Sequence, residues 1–240
     1  MSVFFRFPST AHIAWLSDEA PRSDKVLSRT EAEDFLEAEV SVEEKVDGAN
    51  LGFSLDAHGT VRIQNRGQYL RAPYMGQFDR LSDWLAVHGA AISAALESHA
   101  DEGLMLFGEW CAARHSLDYT ALPDWFLLFD VYERTTGRFW SSGRRNALAA
   151  QCGLAAVPTL FHGHLTLTDL KEMLEKVESR YRSGKLEGVV IRKESADWCD
   201  ARAKLVRSDF TQAIVEHWTR RRLEWNRVDW SAAYDQGLTG

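Results

Sequence analysis

"EEKVDGANLGFS", residues 43–54, places one lysine after two glutamates and just before an Asp-Gly pair. Apolar residues alternate on both sides of it, Val40 and Val42 before, Leu51, Phe53 and Leu55 after. Alternation with period two is the signal of a half-buried strand, and Asp-Gly between two such runs reads as a hairpin turn. On that reading Lys45 is a solvated strand residue. The sharper reading makes Lys45 a covalent nucleophile that the turn holds at the mouth of a sheet, and it makes demands on the rest of the chain.

The 240 residues suffice for one large domain or two small ones with a proper core. Composition is ordinary for a globular protein, 45% hydrophobic and 26% charged. The N-terminal stretch has no cationic leader ahead of an uninterrupted apolar core, and no run approaches the ~20 apolar residues that span a bilayer. The expectation is a soluble, cytoplasmic protein with no membrane partner. Cys111, Cys152 and Cys199 stand far apart, without a C-x-x-C pair, so reduced thiols are expected rather than a disulfide framework or zinc knuckle. A net charge of -7 argues against a protein that coats nucleic acid electrostatically. A polynucleotide would have to be held by a local basic groove.

Thr30 and Glu33 have capping-box spacing, which predicts a short acidic helix over "TEAEDFLEAE" (30–39). Strands are expected at 40–46, 51–56 and 60–65. Leu81, Leu85, Ile92 and Leu96 have helical spacing that Gly89 can interrupt. "GLMLFGEW" (103–110) and "DWFLLFDVYE" (124–133) read as buried strands. "TTGRFW" reads as a turn into a strand, and Ser141 or Ser142 caps a helix that Gly153 ends. Thr168 starts a helix running to about Arg182, and Gly184 releases the chain into "LEGVVIR" (186–192). A last short strand near Lys204 leads into a helix from Ser208 through "TRRRLEW" (219–225). Hairpins and helices mix without βαβ alternation, so the fold class is α+β with antiparallel sheets.

Five stretches follow in order: "EKVDGAN" (44–50), "FGEW" (107–110), "FLLFDVYE" (126–133), "LEGVVIR" (186–192) and "RAKLVR" (202–207). Together they resemble motifs I, III, IIIa, IV and V of the covalent nucleotidyltransferases, the superfamily of polynucleotide ligases and mRNA capping enzymes. Within it they are most similar to ATP-dependent RNA ligases of the RNA ligase 2 type. The resemblance implies a single nucleotidyltransferase (adenylation) domain over 1–240, ATP-grasp-like, of antiparallel sheets flanked by helices. It spans motifs within 44–207 and leaves 208–240 as a helical extension, too short for the OB domain that DNA ligases append.

The implied reaction is attack of a lysine amine on the α-phosphorus of ATP, transfer of AMP to a 5′-phosphate, and sealing to a 3′-OH with Mg²⁺ or Mn²⁺. The resemblance makes Lys45 the nucleophile. A free lysine is protonated at neutral pH, so burial and nearby cations must depress its pKa, and Arg192 and Lys204 are the candidates for that positive field. Glu44, Asp47 and Gly48 belong to the same nucleotide-binding motif. Glu109 would accept a hydrogen bond from a ribose hydroxyl, Phe126 would stack on the adenine, and Glu187 would help hold the divalent cation. Arg66, in "IQNRGQY", and Asn50 would contact phosphate or an RNA end. Motif V departs from the K-x-K of phage-type ligases: either Lys204 is its first lysine and Val206 replaces the second, or Arg202 and Lys204 form the pair. Arg202 and Arg207 are the further candidates there. His162-x-His164 has metal-like spacing in a loop context and is read as incidental. The basic run at 219–225 is the best candidate for a groove wall.

The partner expected is RNA with 5′-phosphate and 3′-OH ends, DNA remaining an alternative, and an enzyme that heals RNA ends is a further candidate partner. The rival readings are a minimal DNA-nick ligase or other covalent nucleotidyltransferase, and a non-catalytic module that binds nucleotide or RNA ends.

Overall fold

The computed structural model of the protein describes residues 4–17, 25–213 and 223–231. The expected basic run at 219–225 therefore lies mostly outside the described residues. The fold is α+β, built on a large and almost wholly antiparallel sheet. In chain order its strands are β1 (Ala11–His12), β2 (Val40–Lys45), β3 (Ala49–Leu55), β4 (Val61–Gln64), β5 (Tyr69–Leu70), β6 (Leu104–Trp110), β7 (Phe126–Glu133), β8 (Arg138–Trp140), β9 (Ala155–Ala156), β10 (Thr159–Gly163), β11 (Gly188–Glu194) and β12 (Trp198–Val206). The helices are α1 (Arg29–Leu36), α2 (Leu81–Ser98), α3 (Ser142–Gln151), α4 (Leu167–Lys176) and α5 (Ser208–Ala213). No helix among the described residues is long and apolar enough to cross a membrane.

The strand order is β10-β2-β11-β12-β8-β7-β6-β3-β4-β5. It corrects the hairpin expected at Asp47-Gly48. β2 pairs with β10 and β11, whereas β3 pairs with β4 and β6. Val46, Asp47 and Gly48 are thus a crossover between two halves of the sheet, and the halves are joined through the short β8, which pairs with β12 on one side and β7 on the other, and through the segment 155–163, whose β9 pairs with β7 and whose β10 pairs with β2. Alternation fixed which residues face inward but not which strand would lie alongside.

Each half buries one face under its own helices. In the first, Val40, Val42, Val189, Ile191, Ala203 and Leu205 pack with Leu170 and Leu174 of α4 and Phe35 of α1. In the second, Leu51, Phe53, Leu106, Trp110, Phe126 and Leu128 pack with Trp84, Ile92 and Leu96 of α2 and Leu148 of α3. The opposite faces carry the polar residues, and they enclose the pocket described below.

Helix boundaries follow local capping chemistry. Ser28, not Thr30, caps α1: its hydroxyl accepts from the Glu31 N–H while the Glu31 carboxylate takes the Ser28 N–H, the same reciprocal box two residues earlier. Thr166 and Asp169 form the equivalent box for α4. That helix stops at Lys176, short of the expected Arg182, because Val177 turns extended and the following loop is pinned by Glu44. Ser141 caps α3, and Gly153, at φ 62°, closes it. Gly89 leaves α2 uninterrupted. The last strand, expected to be short, runs nine residues.

Candidate active site

Lys45 ends β2 and faces a cleft of about 400 Å³ between the two half-sheets. From the first half come Lys45, Arg192, Arg202 and Lys204; from the second, Asn50, Glu109, Phe129 and Asp130; the N-terminal segment adds Phe7, Pro8 and Thr10. Strand register explains the grouping. Lys45 lies opposite Gly188, Val190 opposite both Glu43 and Lys204, and Arg192 opposite both Ser41 and Arg202, so these side chains share one face. Asn50 lies opposite Glu109 across β3 and β6. Of the motif V alternatives, Arg202 and Lys204 share the pocket face with Val206. Arg207 instead pairs with Asp209 and donates to the Leu174 carbonyl.

The Lys45 ammonium pairs with Glu187 Oε1 at 2.5 Å, with 28% of the lysine side chain and 4% of the glutamate exposed. The positive field expected to depress its pKa is not what surrounds it. Burial acts in that direction but is outweighed by the carboxylates of Glu187, Glu109 and Asp47, which hold Lys45 above the ordinary lysine value. Burial also pushes Glu187 up to about 7 and Glu109 up to about 8, with Lys45 pulling both back.

Arg192 lines the cleft with its guanidinium engaged by carboxylates. At 1% exposure it pairs with Asp130 (2.8 Å) and Glu194 (2.7 Å) and donates to the Trp140 carbonyl. Its charge is neutralised within the fold. Arg145, wholly buried on α3, pairs with Glu43 at 2.6 Å, and Arg202 pairs with Asp130 while lying over the rings of Phe7 and Phe139. Three arginines and three carboxylates thus form a connected network, four of whose members, Glu43, Asp130, Arg192 and Arg202, line the cleft.

Glu44 borders the cleft, yet its carboxylate turns to the other face, where it accepts the Ser179 hydroxyl and the Arg180 N–H. Strand alternation requires this, since Glu43 and Lys45 take the pocket face. Asp47 Oδ2 accepts the N–H groups of Ser116 and Leu117 at 2.7 and 2.9 Å, and the Asp47 N–H donates to the Tyr119 hydroxyl. Gly48 has no room for a side chain: a Cβ there would stand 2.6 Å from the Trp110 carbonyl oxygen. Arg66 lies at the rim and donates to Ser9 Oγ at 3.1 Å.

Phe126 is not in the cleft. It is fully buried against Phe53 and Trp84. A bulge is the reason. Phe107 pairs with Asp130 but Gly108 with Leu128, so Phe129 is an extra residue that reverses the alternation. Phe126 and Leu128 face the helices; Phe129 and Asp130 both face the pocket. The bulged Phe129 carbonyl leaves the ladder and accepts from Arg145 at 2.7 Å. Sequence reasoning also passed over Phe7, Pro8, Asp130 and Tyr119. Asp130 was visible as the end of "FLLFD", whereas nothing in the N-terminal string marked Phe7 as a pocket residue.

Two buried oxygens at the site make no hydrogen bond within the protein, Glu187 Oε2 and Asn50 Oδ1. An unsatisfied buried carboxylate oxygen suits a divalent cation. Among the described residues no three His, Cys, Asp or Glu side chains converge as a metal cage, His162 included, so such a cation would need further ligands from phosphate or water.

No curated protein matches the sequence. The fold is similar to solved structures of Naegleria gruberi RNA ligase: one with PPi at 20% identity and TM-score 0.56, covering 79% of this chain and 54% of that one; a mutant with ATP and Mn at 17% and 0.58, covering 75% and 53%; and a mutant with AMP and Mn at 17% and 0.54, covering 75% and 53%. The chain spans about half the length of those proteins. The family model described as RNA ligase matches residues 38–206. That match reaches from the start of β2 to the end of β12 and takes in both half-sheets with the cleft between them, so the chain belongs to the RNA ligase family.

Proposed function

We propose that the protein is an ATP-dependent RNA ligase that works through a lysyl-AMP intermediate. The observation that carries the reading is Lys45 standing in a cleft beside Glu109, Asn50, Lys204 and Glu187, residues that are far apart in sequence. The two half-sheets and their helices are read together as one nucleotidyltransferase unit. Its substrates would be ATP and RNA with 5′-phosphate and 3′-OH ends.

In the first step Lys45 Nζ forms a bond to the α-phosphorus of ATP and the bond to the pyrophosphate oxygen breaks. AMP then passes from Lys45 to a 5′-phosphate, and a 3′-OH displaces it to form the phosphodiester. Lys204 and Arg202 face the position of the phosphates; Arg66 and Asn50 border the route to the RNA end. Phe129 and Phe7 are the aromatic surfaces available to a base, in place of Phe126. Glu187 would hold Mg²⁺ or Mn²⁺, which supplies positive charge to the phosphates and competes with Lys45 for the carboxylate. Lys45 must leave its ion pair and lose a proton before it attacks.

Intact-protein mass after incubation with ATP and Mg²⁺ or Mn²⁺ tests the reading. Wild type should gain one AMP, reversed by pyrophosphate, and Lys45→Ala should gain none. Sealing assays with RNA and DNA ends then separate an RNA ligase from a DNA-nick ligase. A wild-type protein that neither gains AMP nor arrives adenylated overturns the proposal.

A further inference from the structure

None of the described residues 223–231 lines the cleft, yet this segment is tied to it through the loop 111–122. The segment runs alongside the loop, with Trp225 opposite Ala113 and Val228 opposite Leu122. Asn226, 4% exposed, makes the densest attachment. Its backbone N–H donates to the Ala112 carbonyl at 2.9 Å, and its side-chain amide donates to the carbonyls of Cys111 at 2.7 Å and Ala113 at 3.3 Å. Its Oδ1 accepts the Tyr119 N–H at 2.9 Å. One residue thus grips both ends of the loop.

The loop in turn grips the chain next to Lys45. The Tyr119 hydroxyl accepts the Asp47 N–H at 2.9 Å, and the N–H groups of Ser116 and Leu117 donate to Asp47 Oδ2. Tyr119 is 1% exposed, so its hydroxyl has little freedom to follow Asp47 if the turn shifts. We infer that Asn226 is a positioning residue for Lys45, acting through Tyr119 and Asp47 to hold the crossover that aims the nucleophile. The inference rests on the proposed role of Lys45. Its physical basis is that attack on phosphorus tolerates little misplacement: an error of about 1 Å costs on the order of a hundredfold in rate.

The test measures the rate of AMP-adduct formation against ATP concentration for wild type, Asn226→Ala, Tyr119→Phe and the double variant, each well below its own Tm. Each single change should lower the maximal rate about tenfold while KM for ATP stays within about twofold. Because both residues lie on one path, the double variant should be no slower than the slower single. Single variants with the wild-type rate, or effects that multiply in the double, overturn the inference and assign Asn226 to packing alone. Should Asn226→Ala fail to fold, Tyr119→Phe, which removes only a hydroxyl, decides by itself: a wild-type rate overturns the inference. A wild-type protein that gains no AMP is a different result, since it overturns the role of Lys45.

Discussion

Glu109 and Glu187 place two carboxyl groups around one ammonium, and burial together with repulsion from neighbouring carboxylates raises both above the ordinary carboxylate range. Glu109, pushed up to about 8, is the one held protonated near neutrality. The folded protein therefore binds more protons than the unfolded chain between about pH 4.5 and 8, so this group's contribution to stability is complete below that window and is lost as pH rises through it. Glu109→Gln keeps the shape without the titration. It should match wild type near pH 5 and exceed it by on the order of 4 kcal/mol at pH 9, read from denaturant midpoints at both pH values. A pH-independent difference would show that Glu109 does not titrate in this range. The same crowding sets the state of Lys45, whose ammonium is stabilised here, so on the proposed role of Lys45 the amine is masked until its ion pair with Glu187 opens.

At the scale of strands, close approach is governed by glycine. A Cβ on Gly188 would stand 2.4 Å from the Leu205 carbonyl oxygen and 3.0 Å from Val206 Cα, so β11 and β12 lie against each other only because nothing is there. Gly188→Ala should destabilise by about 2–3 kcal/mol, whereas Gly89→Ala, whose Cβ would meet only Leu85 Cβ at 4.0 Å inside α2, should stabilise by about 0.5–1 kcal/mol. Urea midpoints of the two variants check both signs. The same elements show what a sequence discloses. β6, β7 and β11 were legible because buried strands are written as apolar runs, and the helix of α2 because its leucines recur at helical spacing. The neighbours of β2 were not, since the partner of a strand is chosen by tertiary packing. Phe126 and Phe129 differ by a bulge, and a single extra residue leaves no mark in an apolar run. The turn of Glu44 away from the pocket was available from alternation alone, given that Lys45 faces the pocket.

Across the whole molecule the two half-sheets meet over the buried network of Arg145, Arg192, Arg202, Glu43, Asp130 and Glu194. Balanced in charge and drawn from α3, β2, β7, β11 and β12, it holds the halves in register but stabilises less than its count of ion pairs suggests, because each ion must be desolvated. Removing one member is the costly change. Arg145→Ala should lose about 3–5 kcal/mol, measured by chemical denaturation, because it leaves buried Glu43 with only the longer 3.9 Å contact to Arg192. The crossover at 46–48 sends consecutive strands to opposite halves, and β2 finds its neighbours only in residues 159–163 and 188–194. Lys45 and Glu187 are separated by 142 positions along the chain. Contacts of such long range form late and slowly, because the entropy of closing the intervening loop must be met before they reward it. A chain emerging from the ribosome would thus carry its lysine long before it had a pocket to put it in, and the chemistry proposed for Lys45 would begin only once the fold was nearly whole.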